Sequence, residues 1–276
     1  MISILILTLN EEENLPKCLA SVGWCDDIVV LDSFSTDRTV EIARNAGARV
    51  IQRRFDNWAA HQNWALENIR FHHPWLYYSD ADEIVTPELR DELNLVAGNA
   101  RETNVAYRLR YKNFFMGRWI RHCGIYPAWI LRFFRPEKVR WERLVNPTPV
   151  VDGTEGRLES HFEHYSFSKG LNAWFEKHNS YSWQEARESL KALSAGDFQW
   201  GGLVSRHPAH RRRALKELAF RLPCRPLLRF LYMYCWGRGF LDGRAGLAYC
   251  RLLTIYEYMI VLKMRELRRR DSGLPV

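Results

Sequence analysis

Short apolar runs alternate with helix-like segments through the first 80 residues, and this alternation constrains the fold more than any other feature. The apolar runs predict strands at Ile2–Leu7, Ile28–Leu31, Ala48–Gln52 and Trp75–Ser79. The intervening segments predict helices at Asn14–Val22, Thr36–Asn45 and Asn57–Ile69. Strands separated by helices pair in parallel, because a parallel connection has to cross the sheet. The sequence therefore predicts an α/β fold with a Rossmann-like, mostly parallel sheet flanked by helices.

The rest of the chain divides into three regions of different character. Residues 104–167 are rich in aromatic residues and strand-like runs such as Ala106–Tyr111, and we expect them to complete the same sheet. Ser168–Ala195 has a helical pattern, whereas residues 201–276 are basic and contain two long apolar segments. We therefore predict one domain over residues 1–200 and a helical appendage over residues 201–276.

Three of the predicted strands run directly into polar residues. These are Asn10 and Glu11 after the first strand, Asp32 and Ser33 after the second, and Asp80, Asp82 and Glu83 after the fourth. In an open α/β sheet, ligands bind in the crevice outside the carboxyl ends of the strands. We therefore expect these residues to line a single ligand site.

The sequence Asp80-Ala81-Asp82-Glu83 forms the centre of this predicted site. Mg²⁺ and Mn²⁺ prefer oxygen ligands, usually one or two carboxylates completed by substrate phosphates. Such an ion neutralises the charge that develops on a departing diphosphate. The alternative interpretation is an acidic loop that caps the next helix, which is predicted over Pro87–Val96.

Other nucleotide-binding classes fit the sequence poorly. The chain contains neither GxGxxG after the first strand nor GxxxxGK[ST], which disfavours dinucleotide dehydrogenases and P-loop NTPases. A nucleotidyltransferase that makes a nucleotide-sugar is the alternative enzyme, but the loop after the first strand is acidic and lacks glycine. An Arg-rich nucleic-acid-binding protein is the non-enzymatic alternative, although its basic residues would lie among apolar ones.

Several stretches, in a consistent order, resemble family 2 glycosyltransferases of the GT-A fold. They are TLNEEENLPKCLASV (8–22), DDIVVLDSFSTDRTVEIARNAGARV (26–50), HQNWAL (61–66), YYSDADE (77–83), VNPTPVVDGTEGRLESHFEHYSF (145–167) and KHNSYS (177–182). The likeness is to the bacterial branch that builds lipopolysaccharide core and exopolysaccharides. It implies an inverting, metal-dependent transfer of sugar from a nucleotide-sugar, by default a UDP-sugar, to a lipid-linked or lipopolysaccharide-type acceptor.

The resemblance also implies roles for residues near the nucleotide. Thr8, Asn10 and Glu11 are expected to line the nucleotide pocket. Asp32 is expected to bind the base or the ribose, because a carboxylate can accept hydrogen bonds from ring NH and hydroxyl groups. Ser33 either contacts the donor or shapes the turn after the second strand.

A second group of residues is expected near the diphosphate and the sugar. Gln62 and Asn63 resemble the polar pair of the family at this place, with exposed helix residues as the alternative. Asp80 is expected to face the ribose or the donor sugar, and Asp82 to act in catalysis by holding Mg²⁺ or Mn²⁺. His164 is expected to complete the metal site or to bind the diphosphate, with a structural histidine as the alternative.

The catalytic base is where the sequence departs from the family pattern. An inverting transfer needs a carboxylate that takes the proton of the acceptor hydroxyl. Relatives often place a Glu in a Val-His-Glu or Val-Asn-Glu triplet, but here the triplet is Val145-Asn146-Pro147, and proline cannot accept a proton. Glu142 is the first candidate. The reserve candidates are Glu83, Asp152 and Glu155.

The C-terminal region differs from the rest in charge. Residues 201–276 contain 16 Lys and Arg against 5 Asp and Glu, which suits contact with anionic lipid. The apolar segments Leu227–Leu241 and Ala245–Leu262 contain charges and are shorter than the roughly 20 apolar residues that a membrane span needs. We predict helices in the membrane interface, with helices packed on the catalytic domain as the alternative. Without a signal peptide pattern, the enzyme is expected to be cytoplasmic and peripheral on the inner face of the cytoplasmic membrane, with no nucleic acid partner.

Overall fold

The computed structural model describes residues 1–142, 147–194, 201, 204–205, 211 and 224–275. The chain forms two compact units. The first contains Met1–Arg121 and Ile125–Lys169, and the second contains His122–Gly124 and Gly170–Val276.

Strands dominate the first unit. They are β1 (Ile2–Thr8), β2 (Ile28–Asp32), β3 (Arg49–Gln52), β4 (Trp75–Asp80), β5 (Glu83–Val85), β6 (Ala106–Phe115), β7 (Arg118–Trp119), β8 (Trp129–Phe134), β9 (Val139–Glu142), β10 (Thr148–Val151) and β11 (Glu155–His164). The helices are α1 (Leu15–Val22), α2 (Thr39–Asn45), α3 (Trp58–Asn68) and α4 (Pro87–Gly98). The four strands and three helices predicted for the N-terminal region are all present.

The main sheet has the strand order β3-β2-β1-β4-β8-β6-β11-β5, with β7 paired to β6. The pairs β1–β2, β1–β4, β2–β3 and β6–β11 are parallel. Strand β8 runs antiparallel to both β4 and β6. Strands β1, β2, β4, β6 and β11 therefore all end at one rim of the sheet. The prediction of a mostly parallel α/β sheet flanked by helices is confirmed.

Each face of the sheet is buried by a different set of elements. Strand β1 is buried on both sides, so its residues alternate between two cores. On one face, Ile4 lies in a core that includes Leu15 of α1 and Leu89 of α4. On the other, Leu5 lies in a core that includes Ala65 of α3 and Trp141 of β9. The helices thus hold the strand ends in place from both sides.

Helix α2 begins at Thr39, three residues later than the sequence pattern predicts. The Asp37 carboxylate accepts hydrogen bonds from the Thr39 backbone N–H at 3.0 Å and from the Glu12 backbone N–H at 3.1 Å. Thr36 is held by the loop after β1, since its N–H donates to Asn10 Oδ1 at 2.8 Å. These contacts hold residues 36–38 against the loop after β1. Helix α2 therefore starts after them.

The second unit is helical in its described part. Its helices are α5 (Gly170–Ser194), α6 (Arg225–Leu231) and α7 (Gly243–Asp271), and single turns lie at Tyr232–Trp236 and Gly239–Asp242. Ala186 of α5 packs with Ile260 and Met264 of α7. Helix α5, which the sequence pattern placed in the catalytic domain, therefore groups with the C-terminal helices. The predicted domain boundary after residue 200 adjoins residues 195–200, which lie outside the described residues.

One C-terminal segment, Gly239–Asp271, is long and apolar enough to cross a membrane, judged by length and composition alone. Within the described residues it is the one helix that passes this test. A third of its most apolar window is buried within the protein, and core helices of soluble proteins pass the same test. The predicted interfacial placement of this region therefore stays a prediction.

Candidate active site

Asp32 lies at the end of β2 and is fully buried. Its carboxylate accepts hydrogen bonds from Thr8 Oγ1 at 3.0 Å, from Ser35 N at 2.9 Å and from Gln52 Nε2 at 3.1 Å. The Ser35 hydroxyl donates to it as well. Asp32 and Thr8 thus join the ends of β1 and β2 and shape the loop after β2. Direct contact between Asp32 and a nucleotide would require one of these partners to be exchanged.

The loops after β1 and β2 are tied together by backbone hydrogen bonds. Asn10, with a left-handed φ of 55°, donates its N–H to Ser35 Oγ at 2.8 Å. Asparagine tolerates this conformation better than most residues. Ser33 donates its N–H to the Thr8 carbonyl at 2.9 Å. The structure therefore brings Thr8, Asn10, Asp32 and Ser33 together at the rim, as predicted.

Glu11 is paired with a lysine that the motifs in the sequence did not indicate. Its carboxylate contacts Lys169 Nζ at 2.5 Å and accepts a hydrogen bond from Asn14 Nδ2 at 2.7 Å. Burial raises the pKa of Glu11 above its ordinary value, although Lys169 and Asn14 oppose the shift. The charge of Asp82 raises the pKa of Glu11 in the same direction as burial.

A hollow of about 210 Å³ opens next to Asp82. Its lining residues are Asn14, Lys17, Ala81, Asp82, Ile84, Tyr165 and Ser168. One carboxylate and one lysine therefore border it, together with amide and hydroxyl groups. A hollow at the carboxyl ends of parallel strands, with a few polar groups in its lining, is the expected place for a ligand.

Arg132 approaches the acidic motif because β8 is irregular at this residue. Tyr107 pairs with Phe133 and Arg108 with Leu131, so Arg132 is an extra residue in the β8 register. An extra residue in one strand bends the chain and redirects side chains. The sequence contains one signal for this contact, a lone arginine inside the apolar run WILRFF, but the motifs alone did not predict it.

The buried Arg132 guanidinium joins two carboxylates of the motif. Its Nη2 lies 2.6 Å from Asp80 Oδ2 and 2.5 Å from Glu83 Oε1, and its carbon lies 4.6 Å from the Tyr78 ring centroid. Burial raises the pKa of Glu83 to about 7, against the opposing effect of Arg132. Burial also opposes the charge on Arg132, but Asp80 and Glu83 hold its pKa above the ordinary value. One arginine thus orders the loop that carries Asp82.

Asp82 lies beside His164. The distance from Asp82 Oδ2 to His164 Nε2 is 3.4 Å, and the Tyr165 N–H donates to the Asp82 carbonyl at 2.9 Å. Burial lowers the pKa of His164, but Asp82 and the neighbouring carboxylates outweigh it and raise the pKa above the ordinary value. The imidazole of His164 therefore comes from the end of β11, and the carboxylate of Asp82 comes from the loop after β4.

This pair has the donor chemistry that a divalent cation needs. Carboxylate oxygen and imidazole nitrogen both bind Mn²⁺, and oxygen ligands suit Mg²⁺. The described residues contain no group of three or more His, Cys, Asp or Glu side chains arranged to hold a metal ion. Asp82 and His164 therefore fit an ion whose remaining ligands come from substrate phosphates and water.

The two polar residues predicted on α3 take different roles. Gln62 donates from Nε2 to Tyr78 Oη at 2.9 Å, and Tyr78 donates to Asp80 Oδ1 at 3.3 Å, so Gln62 belongs to the rim network. Gln62 Oε1 is buried and has no hydrogen-bond partner within the described part of the chain. Asn63 instead bonds the Trp141 backbone N–H at 2.7 Å and carbonyl at 2.9 Å. These bonds assign Asn63 to holding β9 against α3, in place of the predicted contact with the donor.

Glu142 ends β9 and is about half exposed. Its carboxylate contacts Arg140 Nη2 at 2.5 Å. The next residues, 143–146, which include Val145 and Asn146 of the family triplet, lie outside the described residues. Glu142 is therefore accessible, but its role as the base stays a prediction.

Each of the reserve carboxylates has a basic partner. Glu83 is buried against Arg132. Asp152 pairs with Lys138 at 2.9 Å, and Glu155 pairs with Arg108 at 2.5 Å.

Residues 3–161 match the family described as Glycosyl transferase family 2, which is more than half of the chain. The chain belongs to glycosyltransferase family 2. This glycosyltransferase is 24% identical over 285 residues to the uncharacterized glycosyltransferase RT0209 of Rickettsia typhi, covering 99% of this chain and 89% of that protein. It is 25% identical over 272 residues to the lipopolysaccharide core biosynthesis glycosyltransferase LpsC of Rhizobium meliloti, covering 93% of this chain and 92% of that protein.

Solved glycosyltransferase structures resemble this one more distantly. S. aureus TarS, residues 1–349, aligns with 99% of this chain and 91% of that chain, with a TM-score of 0.43 and 13% identity. Glucosyl-3-phosphoglycerate synthase from Mycobacterium tuberculosis, solved with Mn²⁺ and UDP-glucose, aligns with 41% of this chain and 44% of that chain. The TM-score is 0.35 and the identity is 23%. Likeness at this level concerns the chain fold alone.

Replacing Arg132 with Leu should lower the free energy of unfolding by about 3–5 kcal/mol, because it leaves Glu83 buried without its cation. Urea denaturation measures the loss. The double variant Arg132→Leu/Glu83→Gln should recover part of it, since the second change removes the unpaired charge. Arg90→Leu breaks an exposed pair with Asp91 and serves as a control, with an expected change of about 1 kcal/mol or less. A double variant no more stable than Arg132→Leu would contradict this account.

Proposed function

We propose that this glycosyltransferase moves a sugar from a nucleotide-diphosphate sugar, with UDP-sugar as the first choice, to a saccharide acceptor with inversion at the anomeric carbon. The observation that carries the proposal is the Asp82–His164 pair at 3.4 Å, with Asp82 lining the hollow at the carboxyl ends of the strands. Family membership supports sugar transfer over the alternatives of nucleotidyl transfer and nucleic acid binding.

In this proposal Asp82 and His164 hold Mg²⁺ or Mn²⁺. The bound ion supplies positive charge against the diphosphate as it departs. Lys17 borders the same hollow and adds a second positive charge within reach of the phosphates. A dry, preorganised arrangement of positive groups stabilises developing negative charge more than water does.

The remaining rim residues orient the donor. Asp80 faces the ribose or the sugar, held in place by Arg132 and by the Tyr78 hydroxyl. Gln62, which retains an unpaired amide oxygen among the described residues, lies in the same network. The Asp32 loop and Glu11 form the nucleotide side. Because Arg132 and Tyr78 hold Asp80, the sugar side of the donor meets a group that is already in place.

The proposed base is Glu142. It would take the proton of the acceptor hydroxyl while that oxygen attacks the anomeric carbon and the diphosphate leaves from the opposite face. Its exposure supports access to an acceptor.

The acceptor in this proposal is lipid-linked or of the lipopolysaccharide type, and the enzyme is peripheral on the inner face of the cytoplasmic membrane. The LpsC relative is named for lipopolysaccharide core biosynthesis. Large exposed apolar side chains are concentrated in α6 and in the two turns that follow it. They are Leu227, Leu228, Leu231, Tyr232, Trp236, Phe240 and Leu241. Exposed Arg229, Arg238 and Arg244 lie in the same stretch, which suits contact with anionic lipid.

The metal assignment predicts that Asp82→Ala abolishes transfer with either Mn²⁺ or Mg²⁺, because the ion loses its proposed carboxylate ligand. Release of nucleoside diphosphate from a panel of nucleotide-sugars measures the activity. Mn²⁺ with UDP should raise the melting temperature of the wild type but not of the variant. Asp91→Ala, at an exposed position on α4, is the matched control and should keep both properties. Near-native activity of Asp82→Ala would refute the metal assignment.

The base assignment predicts that Glu142→Gln lowers kcat by a factor of about 10² or more, because the amide cannot accept the proton. The affinity for UDP should not change, since the base acts on the acceptor. Glu137→Gln, at an exposed carboxylate that is not a candidate base, should have little effect. An unchanged kcat in Glu142→Gln would move the role to another carboxylate.

The membrane assignment predicts that the full-length protein sediments with vesicles containing anionic lipid, and less with zwitterionic vesicles or at high salt. Trp236→Ser/Leu241→Ser should weaken sedimentation, because it removes two exposed apolar side chains. Leu95→Ser removes an exposed leucine from α4 and is the control. Equal recovery of wild type and Trp236→Ser/Leu241→Ser with the vesicles would contradict this surface.

A further inference from the structure

The second half of the main sheet presents a basic face that the proposed donor site does not use. Along β6, Tyr107 and Leu109 point into the core shared with α1 and α4. Arg108, Arg110 and Lys112 alternate with them and therefore point to the opposite face. These three cations are only half-buried.

Two tryptophans lie on the same face, each in contact with two cations. Trp129 of β8 is directly opposite Arg110 in the register. Its ring centroid lies 5.3 Å from the guanidinium carbon of Arg110 and 5.0 Å from that of Arg157. The Trp119 ring lies 4.8 Å from Lys112 Nζ and 5.5 Å from the guanidinium carbon of Arg121. The aromatic rings thus hold the cations in place.

The charges on this face are only partly balanced. Arg108 contacts Glu155, and Arg110 reaches Glu159 Oε2 at 3.5 Å. Lys112, Arg121 and Arg157 have no ion pair with any residue that the structure describes. We call Lys112, Trp119, Arg121, Trp129 and Arg157 the cation–aromatic face.

The cation–aromatic face reaches the rim that carries the proposed metal ligands. In the parallel pair of β6 and β11, Lys112 is opposite Glu163 and the next residue, Asn113, is opposite His164. Glu163 accepts the Tyr165 hydroxyl at 2.7 Å. A molecule lying on the cation–aromatic face would therefore reach the end of β11, although the His164 side chain points to the other side of the sheet and contacts the Tyr111 ring.

We propose that the acceptor is an anionic saccharide and that it binds across the cation–aromatic face. This inference rests on the proposed sugar transfer. Partly exposed indole rings offer apolar surface to the C–H faces of sugar rings. Lysine and arginine side chains without acidic partners bind phosphate or carboxylate groups. An anionic saccharide satisfies both sets of groups at once, whereas a neutral sugar would leave three cations without partners among the described residues.

The test compares matched saccharides on the full-length protein with saturating UDP and Mn²⁺, so that phosphate groups do not occupy the donor site. The probes are a phosphorylated lipopolysaccharide core oligosaccharide, the same oligosaccharide after phosphate removal, and tri-galacturonate as a carboxylate-bearing probe. Calorimetry or ligand-detected NMR gives the affinities. We expect at least one anionic probe to bind about tenfold more tightly than the dephosphorylated one, with the preference falling as salt is raised.

Lys112→Gln/Arg157→Gln should remove this preference and leave the affinity for UDP unchanged. Lys112→Arg/Arg157→Lys keeps the charges and should keep the preference, which separates loss of charge from loss of folding. Arg101→Gln, at an exposed arginine outside the face, is the control for net charge. Preference for phosphate or for carboxylate then identifies which anionic group the face selects.

Equal binding of the anionic and dephosphorylated probes would overturn the inference, as would a preference that survives in Lys112→Gln/Arg157→Gln. Tighter binding of a single-stranded oligonucleotide than of the phosphorylated oligosaccharide would assign the face to nucleic acid instead. Failure of UDP with Mn²⁺ to bind is a separate result. It would refute the proposed donor site, while the saccharide comparison, repeated without UDP, still decides the inference.

Discussion

The ion pairs of Arg132 with Asp80 and Glu83 are the interaction on which the site depends. The loop after β4 places Asp80, Asp82 and Glu83 within four residues, and like charges this close repel one another strongly in a buried setting. One buried guanidinium engages the first and the last of them. Asp82 is then left beside His164 at the edge of the hollow. Without Arg132, the same loop would be an unstable acidic cluster.

The direction of the strands explains why distant residues share this rim. Strands β1, β2, β4, β6 and β11 all end on the same side, so chain positions from Thr8 to His164 converge there. Two of the acidic groups at the rim have partners on later segments: the Lys169 ammonium contacts Glu11, and the His164 imidazole contacts Asp82. These contacts from later segments hold the acidic side chains at the rim.

Different parts of the sheet have different roles. Near β1 to β4 both faces are covered, by α1 and α4 on one side and by α3 and β9 on the other, and this core fixes the donor rim. Farther along, β6 and β8 turn cations and tryptophans outward. In our proposals the donor occupies the rim and an anionic acceptor crosses the cation–aromatic face toward it. The membrane contact proposed for the exposed apolar residues of α6 and of the two turns after it belongs to the second unit.

Sequence alone determined the α/β order, the four N-terminal strands and the acidic motif, because hydrophobic periodicity and strand ends are local properties of the chain. The resemblance to family 2 glycosyltransferases rests on the same local stretches. Tertiary structure alone decided that Arg132 reaches Asp80 and Glu83, since this follows from an irregular register between β8 and β6. The tertiary structure also decided that Asn63 hydrogen-bonds the Trp141 backbone and that α5 packs against α7. Register and helix partners are set by packing between distant segments, which no local pattern records.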